Sequence, residues 1–269
     1  MTNITIDATT NDIGGVTSIN GAGYNKNIAI NGGFTINQGA YVSGAVLAAG
    51  AYGHDQWKAG SGGGDYTFTQ LASNTTITIA ANKTLIQPIE DKGVLATRYV
   101  VSWTGTALGR VGVNSLTPSG TYVASPIVIT GQTAGTVMSI EFGNGASAGT
   151  LGSVMVEATT GSTPSAWTPY GGIFGGELQA CQRHYYKFTN LPLGLAFTTN
   201  LPTATLSFKV PMRASPTLDA GATFTAGTGS NGTVAQTAVT TEAAQFFNSA
   251  ANWTVNSTVN ISGGYSARL

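Results

Sequence analysis

Hydrophobic positions along this chain recur mostly at a spacing of two. Threonine and isoleucine alternate through residues 75–80, the period of a strand with one face buried. Residues 98–103, Arg98-Tyr99-Val100-Val101-Ser102-Trp103, are β-branched and aromatic and predict a core strand. Residues 127–130, 137–142 and 153–157 predict three more. Ile28, Ile30, Phe34 and Ile36 keep the same spacing across a break at Asn31-Gly32-Gly33, which predicts strands joined by a hairpin or bulge. Turn signals at Ser61-Gly62-Gly63-Gly64, Pro118-Ser119-Gly120 and Gly143-Asn144-Gly145 separate the runs. Many short strands punctuated in this way predict a jelly-roll β-sandwich over residues 27–170. It closes near Pro164 and Pro169, which cannot donate to a ladder.

The pattern changes at residues 177–187, Glu-Leu-Gln-Ala-Cys-Gln-Arg-His-Tyr-Tyr-Lys. Leu178, Cys181 and Tyr185 fall at i, i+3 and i+7, which predicts one face of a short helix within a linker of residues 171–187. Glu177 near its start and Arg183, His184 and Lys187 near its end suit the helix dipole. Leu178, Cys181 and Tyr185, together with Trp167, are expected to pack between two modules. Residues 203–210 return to alternation, and residues 188–269 predict a smaller C-terminal β-sandwich. Residues 1–26 are polar and glycine-punctuated, and are expected to serve as an anchor or lead-in. The expected fold is therefore all-β, with one short helical linker.

Composition narrows the function. Charged residues make up 8% of the 269, against roughly 25% in an ordinary soluble protein. Few charges mean little self-repulsion on close assembly, which suits a protein that packs against copies of itself. The net charge is zero, so nothing here attracts a phosphate backbone, and nucleic acid is excluded as a partner class. No stretch has the ~18 apolar residues of a membrane span, and residues 1–7 lack the charge and apolar run of a secretory signal. Cys181 is the only cysteine, expected as a small buried residue.

Catalytic chemistry is sparse. Glu90 and Asp91 are neighbours, and on a strand would face opposite ways; they are expected to form a solvated turn. His54-Asp55 has no G-x-S-x-G serine beside it, and no His, Cys or carboxylate set has zinc or calcium spacing. The glycine-rich stretches lack the lysine of a phosphate loop. No catalytic residue, metal or cofactor is expected, and the chain reads as a non-enzyme. Exposed rings could instead stack on sugar. Trp253, Trp57 and Phe246 are the candidate glycan contacts, although Trp57 fits a core better than a ligand platform, and Trp103 is expected in the core.

Four ordered segments resemble bacteriophage tail-fibre and related virion fibre proteins. Residues 27–38 read Asn-x-x-Ile-Asn-Gly-x-Phe-x-Ile-Asn-Gln, followed by Asp55-Gln56-Trp57, where the family has Asp-Arg-Trp. Residues 156–170 are similar to its Glu-to-Tyr stretch around Thr-Pro, with looser spacing. Residues 177–186 resemble Glu-Leu-x-x-Cys-Gln-Arg-Tyr-Tyr, with His184 at the first tyrosine, and residues 210–217 resemble Val-Pro-Met-Arg-x-x-Pro-Thr. The ending Ala267-Arg268-Leu269 is loosely similar to the family's Ala-Glu-Leu. The resemblance implies a virion protein assembled in the host cytoplasm, built from a jelly roll like those of carbohydrate-binding modules and a C-terminal β-domain. It implies a homotrimer attached to other virion proteins through residues 1–26. A tail fibre binding a host-surface glycan is the expected role; a head fibre, decoration protein or baseplate component without receptor function is the alternative.

Overall fold

The computed structural model describes residues 27–96, 98–171, 176–195, 203–220, 222–226, 234–248 and 258–269. The proposed attachment segment, residues 1–26, and Trp253 lie outside them. The described chain is almost entirely β. In order the strands are β1 (Lys58–Ala59), β2 (Tyr66–Phe68), β3 (Ile77–Ile79), β4 (Thr84–Ile89), β5 (Arg98–Thr104), β6 (Leu108–Gly112), β7 (Ser119–Val123), β8 (Ile127–Thr130), β9 (Met138–Gly143) and β10 (Gly149–Ala158). The helix α1 (Gly176–Gln182) follows. Then come β11 (Tyr185–Leu195), β12 (Thr203–Ser207), β13 (Thr217–Leu218), β14 (Thr223–Ala226), β15 (Val234–Val239), β16 (Ala243–Asn248) and β17 (Thr258–Ser266).

The first ten strands form two antiparallel sheets, ordered β1-β4-β9-β6-β7 and β2-β3-β10-β5-β8. Neighbours β3·β10, β4·β9, β5·β8 and β6·β7 alternate between the sheets, as when a long hairpin is rolled around one axis. That strand order is a jelly roll. Alternation along each strand delivers its core: Leu85, Ile140 and Phe142 from one sheet join Ile77, Ile79, Val101, Trp103 and Val156 from the other. The later strands form a sheet β11-β17-β13, with β14 also paired to β17, and a second sheet β12-β16-β15. Tyr186, Phe188, Leu206, Phe208, Phe246, Ile261 and Tyr265 pack together there.

Residues 27–37 depart from expectation: the run is turns and irregular chain, not strands. Side-chain amides replace the ladder. Asn27 Nδ2 donates to the carbonyls of Val154 (3.0 Å) and Thr168 (2.9 Å), and its Oδ1 accepts from Ala29 and Val156 N–H. Asn31, at φ 56°, accepts from Thr35 and Ile36 N–H and donates to the carbonyls of Ile36 and Asp55. Gln87, on an inward position of β4, accepts from Ile30 N–H at 3.0 Å and donates to its carbonyl. Buried backbone groups need partners wherever the chain runs, and here the motif's own polar residues supply them. The apolar positions still reach the core, with Phe34 stacked on Trp57 at 4.9 Å.

The island of residues 177–187 is also divided. The helix stops at Gln182, and Tyr185–Lys187 open β11, where Tyr185 and Tyr186 pair with Ser266 and Tyr265. Pairing with β17 outweighs the weak helix preference of aromatic residues. Leu178 and Tyr185 therefore do not share a helix face, and Leu178 is 45% exposed rather than packed between modules. Cys181 is buried in the joint, and Trp167 packs on the jelly roll, its ring against Gly33 and its Nε1 donating to Val154 O at 3.2 Å. Glu90 corrects a third expectation: its carboxylate leaves the turn to pair with Arg183.

Gly32 marks where irregular chain and sheet come closest. A Cβ at Gly32 would overlap the carbonyl oxygen of Val154, which itself serves Asn27 and Trp167. Replacement Gly32→Ala is expected to cost about 2–3 kcal/mol by overpacking, read as a lowered urea midpoint at unchanged slope.

Candidate functional site

Each strand of the first sheet turns one row of side chains to the core and the other outward. On the outer face, register places Lys58 beside Ile86, Ile86 beside Glu141, and Glu141 beside Arg110. Arg110 Nε lies 2.6 Å from Glu141 Oε2, and the pairing holds the guanidinium pKa above its usual value. Tyr122 of the edge strand β7 completes the row, with the Arg110 guanidinium 4.6 Å from its ring centroid. Glu141 is nearly fully buried although it points outward. Arg110 covers it on one side, and on the other lies Gly60, which continues β1 along β4 so closely that a Cβ there would meet Thr84 and Glu141.

Beside this row lies an open cleft of about 370 Å³, lined by Asn82, Lys83, Thr84, Leu108, Tyr122, Asn144 and Gly145. Two turns that carry the chain from sheet to sheet build its rim. Asn82, between β3 and β4, donates its N–H to the carbonyl of Gly145, between β9 and β10, at 2.6 Å. Asn144 Nδ2 donates to Ala148 O at 3.0 Å, which fixes the second turn. Tyr122 is half-buried, so part of its ring remains accessible. Burial and the nearby Glu141 carboxylate raise its phenol to about 12, and it stays neutral in physiological conditions. An aromatic ring on a fixed support, with amides and a hydroxyl around a hollow, can hold a small polyhydroxylated ligand. The sequence hid Tyr122 because only its contact with Arg110 and its edge position mark it.

Two of the three predicted sugar platforms, Trp57 and Phe246, are elsewhere, and Trp253 lies outside the described residues. Trp57 is fully buried, its Nε1 donating to Asn31 O at 3.0 Å, and Phe246 is 2% exposed in the second core. Neither presents a face to a ligand, because each fills a sheet interior. Among the described residues, no three His, Cys, Asp or Glu side chains gather to hold a metal ion.

A second group of ionisable residues meets where the two sandwiches join. Asp55 is fully buried and accepts from Gln38 N–H at 2.6 Å and Gln38 Nε2 at 2.9 Å; the same Nε2 donates to Tyr185 O. Arg268 lies 3.5 Å from Asp55, its guanidinium between the rings of Tyr52 (4.4 Å) and Tyr185 (3.9 Å). His54 turns to Tyr66 OH and Gln70, so His54 and Asp55 serve different neighbourhoods. Burial pushes the Cys181 thiol well up, with Asp55 and Glu177 adding to the effect, and makes it a poor nucleophile. His184 is 2% exposed, and its ring nitrogens have no hydrogen-bond partner among the described residues. It borders a cavity of about 30 Å³ with Ile30, Gln87 and Tyr170, room for about one water.

No protein-family model matches the chain, and no curated protein matches it by sequence. Among solved structures, the carbohydrate-binding module TmCBM61, in complex with β-1,4-galactotriose, aligns at TM-score 0.31 and 11% identity, over 50% of this chain and 99% of that one. Discoidin II from Dictyostelium discoideum aligns at TM-score 0.17 and 10% identity, over 76% and 82%. At these values neither likeness bears on function, and the jelly-roll assignment stands on strand order.

The joint carries a pH dependence. Burial, then the positive charges of Arg183, Arg213 and Arg268, lower the His184 pKa to about 3. The unfolded chain takes up a proton near pH 6.5 and the folded chain does not, so this contribution to stability is complete above pH ~6.5 and is lost as pH falls towards 3. Asp55 and Glu177, raised by burial, act in the opposite sense. Denaturation of wild type and His184→Gln between pH 7 and 4 isolates the histidine's contribution: wild type is expected to lose up to about 1.4 kcal/mol per pH unit more than the variant.

Proposed function

We propose that this chain is a non-catalytic bacteriophage virion fibre protein that binds the host cell surface through a glycan held in the Tyr122 cleft. The ordered segments at residues 27–57, 156–170, 177–186 and 210–217 support the virion assignment. The cleft carries the binding assignment: a partly exposed ring braced by a cross-strand ion pair, beside a hollow of about 370 Å³ rimmed by Asn82, Thr84 and Asn144. That volume lies within the range of small-ligand sites. Assembly as a homotrimer, with residues 1–26 attached to other virion proteins, follows from the same resemblance. The low charge of the chain favours close packing between copies, since charges are costly to desolvate at an interface.

The ion pair of Arg110 and Glu141 supports a binding role for the cleft better than a hydrolytic one. Glycoside hydrolysis ordinarily needs two carboxyl groups flanking a bond. The residues lining the cleft include none, and Glu141, beneath Tyr122, is engaged by Arg110.

Tyr122→Ala tests the assignment. The variant is expected to keep its fold by circular dichroism and to lose at least tenfold in affinity on an array of host-surface polysaccharides, since stacking area at the site disappears. Undiminished binding by a folded Tyr122→Ala protein would remove the cleft from the account.

A further inference from the structure

We propose that the cleft is specific for uncharged glycans and rejects acidic ones; this rests on the glycan reading above. Two cations lie at the site, and each already has a carboxylate. Lys83 Nζ is 3.6 Å from Asp65 Oδ2 and also donates to Gly62 O at 3.0 Å. Arg110 is bound to Glu141 at 2.6 Å. The four charges sum to zero, so the cleft offers no surplus positive charge to a uronate, sialate or phosphate substituent.

The pair at Arg110 is also costly to reopen. The Glu141 side chain is 4% exposed, and Arg110 is the cation that compensates it. An acidic sugar that drew Arg110 away would leave a buried carboxylate unpaired, a penalty larger than a surface contact returns. Arg110 also supports the Tyr122 ring, so moving it would disturb the platform on which the sugar is to lie. A neutral glycan asks for neither change. Its hydroxyls can use the amide and hydroxyl groups of Asn82, Thr84 and Asn144 while both ion pairs stay closed. The charge arrangement thus sets ligand class, whereas Tyr122 sets whether any sugar is held.

Calorimetric titration separates the two. The full chain is offered lactose, maltotriose and N,N′-diacetylchitobiose, and in parallel 3′-sialyllactose and trigalacturonate, at 50 and 500 mM NaCl. Neutral sugars are expected to bind with affinities that change less than twofold with salt, and the acidic ones at least tenfold more weakly. Glu141→Gln, close in shape and checked for folding by its thermal transition, is expected to free Arg110 and strengthen acidic-sugar binding at least fivefold at 50 mM NaCl. Acidic sugars bound more tightly than neutral ones by wild type, with salt-sensitive affinity lost in Tyr122→Ala, would overturn the charge argument and leave the cleft intact. Binding that persists in Tyr122→Ala, or no binding of either class, would overturn the glycan reading and this inference together.

Discussion

The carboxylate of Asp55 sits in the joint between the two sandwiches with no access to solvent, and much of the molecule is arranged around that fact. An isolated buried carboxylate costs several kcal/mol. Gln38 gives it two hydrogen bonds and Arg268 gives it a charge, and these partners come from opposite ends of the described chain. The same groups spread the connection: Gln38 continues to Tyr185, Tyr185 to Asp219, and Tyr52 and Lys58 to the main-chain oxygen of Leu269. Burial still holds the Asp55 pKa above normal despite Arg268. The cluster is therefore better understood as fixing how the sandwiches meet than as adding net stability.

A chain with few charges places them selectively. Low charge suggests a surface made for packing against copies of itself, and the structure adds a second use. Asp55 with Arg268 and Glu90 with Arg183 tie the sandwiches together, while Arg110 with Glu141 braces the cleft. Asparagine and glutamine take the corresponding role without charge. Asn27, Asn31 and Gln87 terminate backbone hydrogen bonds that a strand would have satisfied, and so let residues 27–37 run irregularly between buried surfaces.

This explains what was legible in the sequence. Strands at residues 98–103, 127–130 and 137–142 were readable because one face of each is uniformly apolar and supplies buried side chains such as Tyr99, Val101, Trp103, Ile129, Met138, Ile140 and Phe142. Residues 28–36 misled because their apolar residues also alternate, while the deciding signal was two asparagines: Asn27, which pairs with Val154 and Val156 over 120 residues away, and Asn31, which pairs with Thr35, Ile36 and Asp55. The helix at residue 177 was legible from its composition, but its end was not, since the partner that turns Tyr185 into a strand is Ser266. Aromatic rings drew attention as sugar platforms, and the structure buried Trp57 and Phe246. Tyr122 was overlooked because its role depends on a cross-strand neighbour and on being at a sheet edge.

The cleft thus rests on features that only folding brings together: a row of register-matched side chains on the outer face, two hydrogen-bonded turns, and an ion pair whose carboxylate lies beside Gly60. A crystal structure of the full chain with a bound neutral oligosaccharide tests this most directly. The account predicts a sugar ring against Tyr122, flanked by the Asn82 and Asn144 turns, with Arg110 still on Glu141. A sugar seated in the C-terminal sandwich or at the joint, with the Tyr122 cleft free, would contradict it.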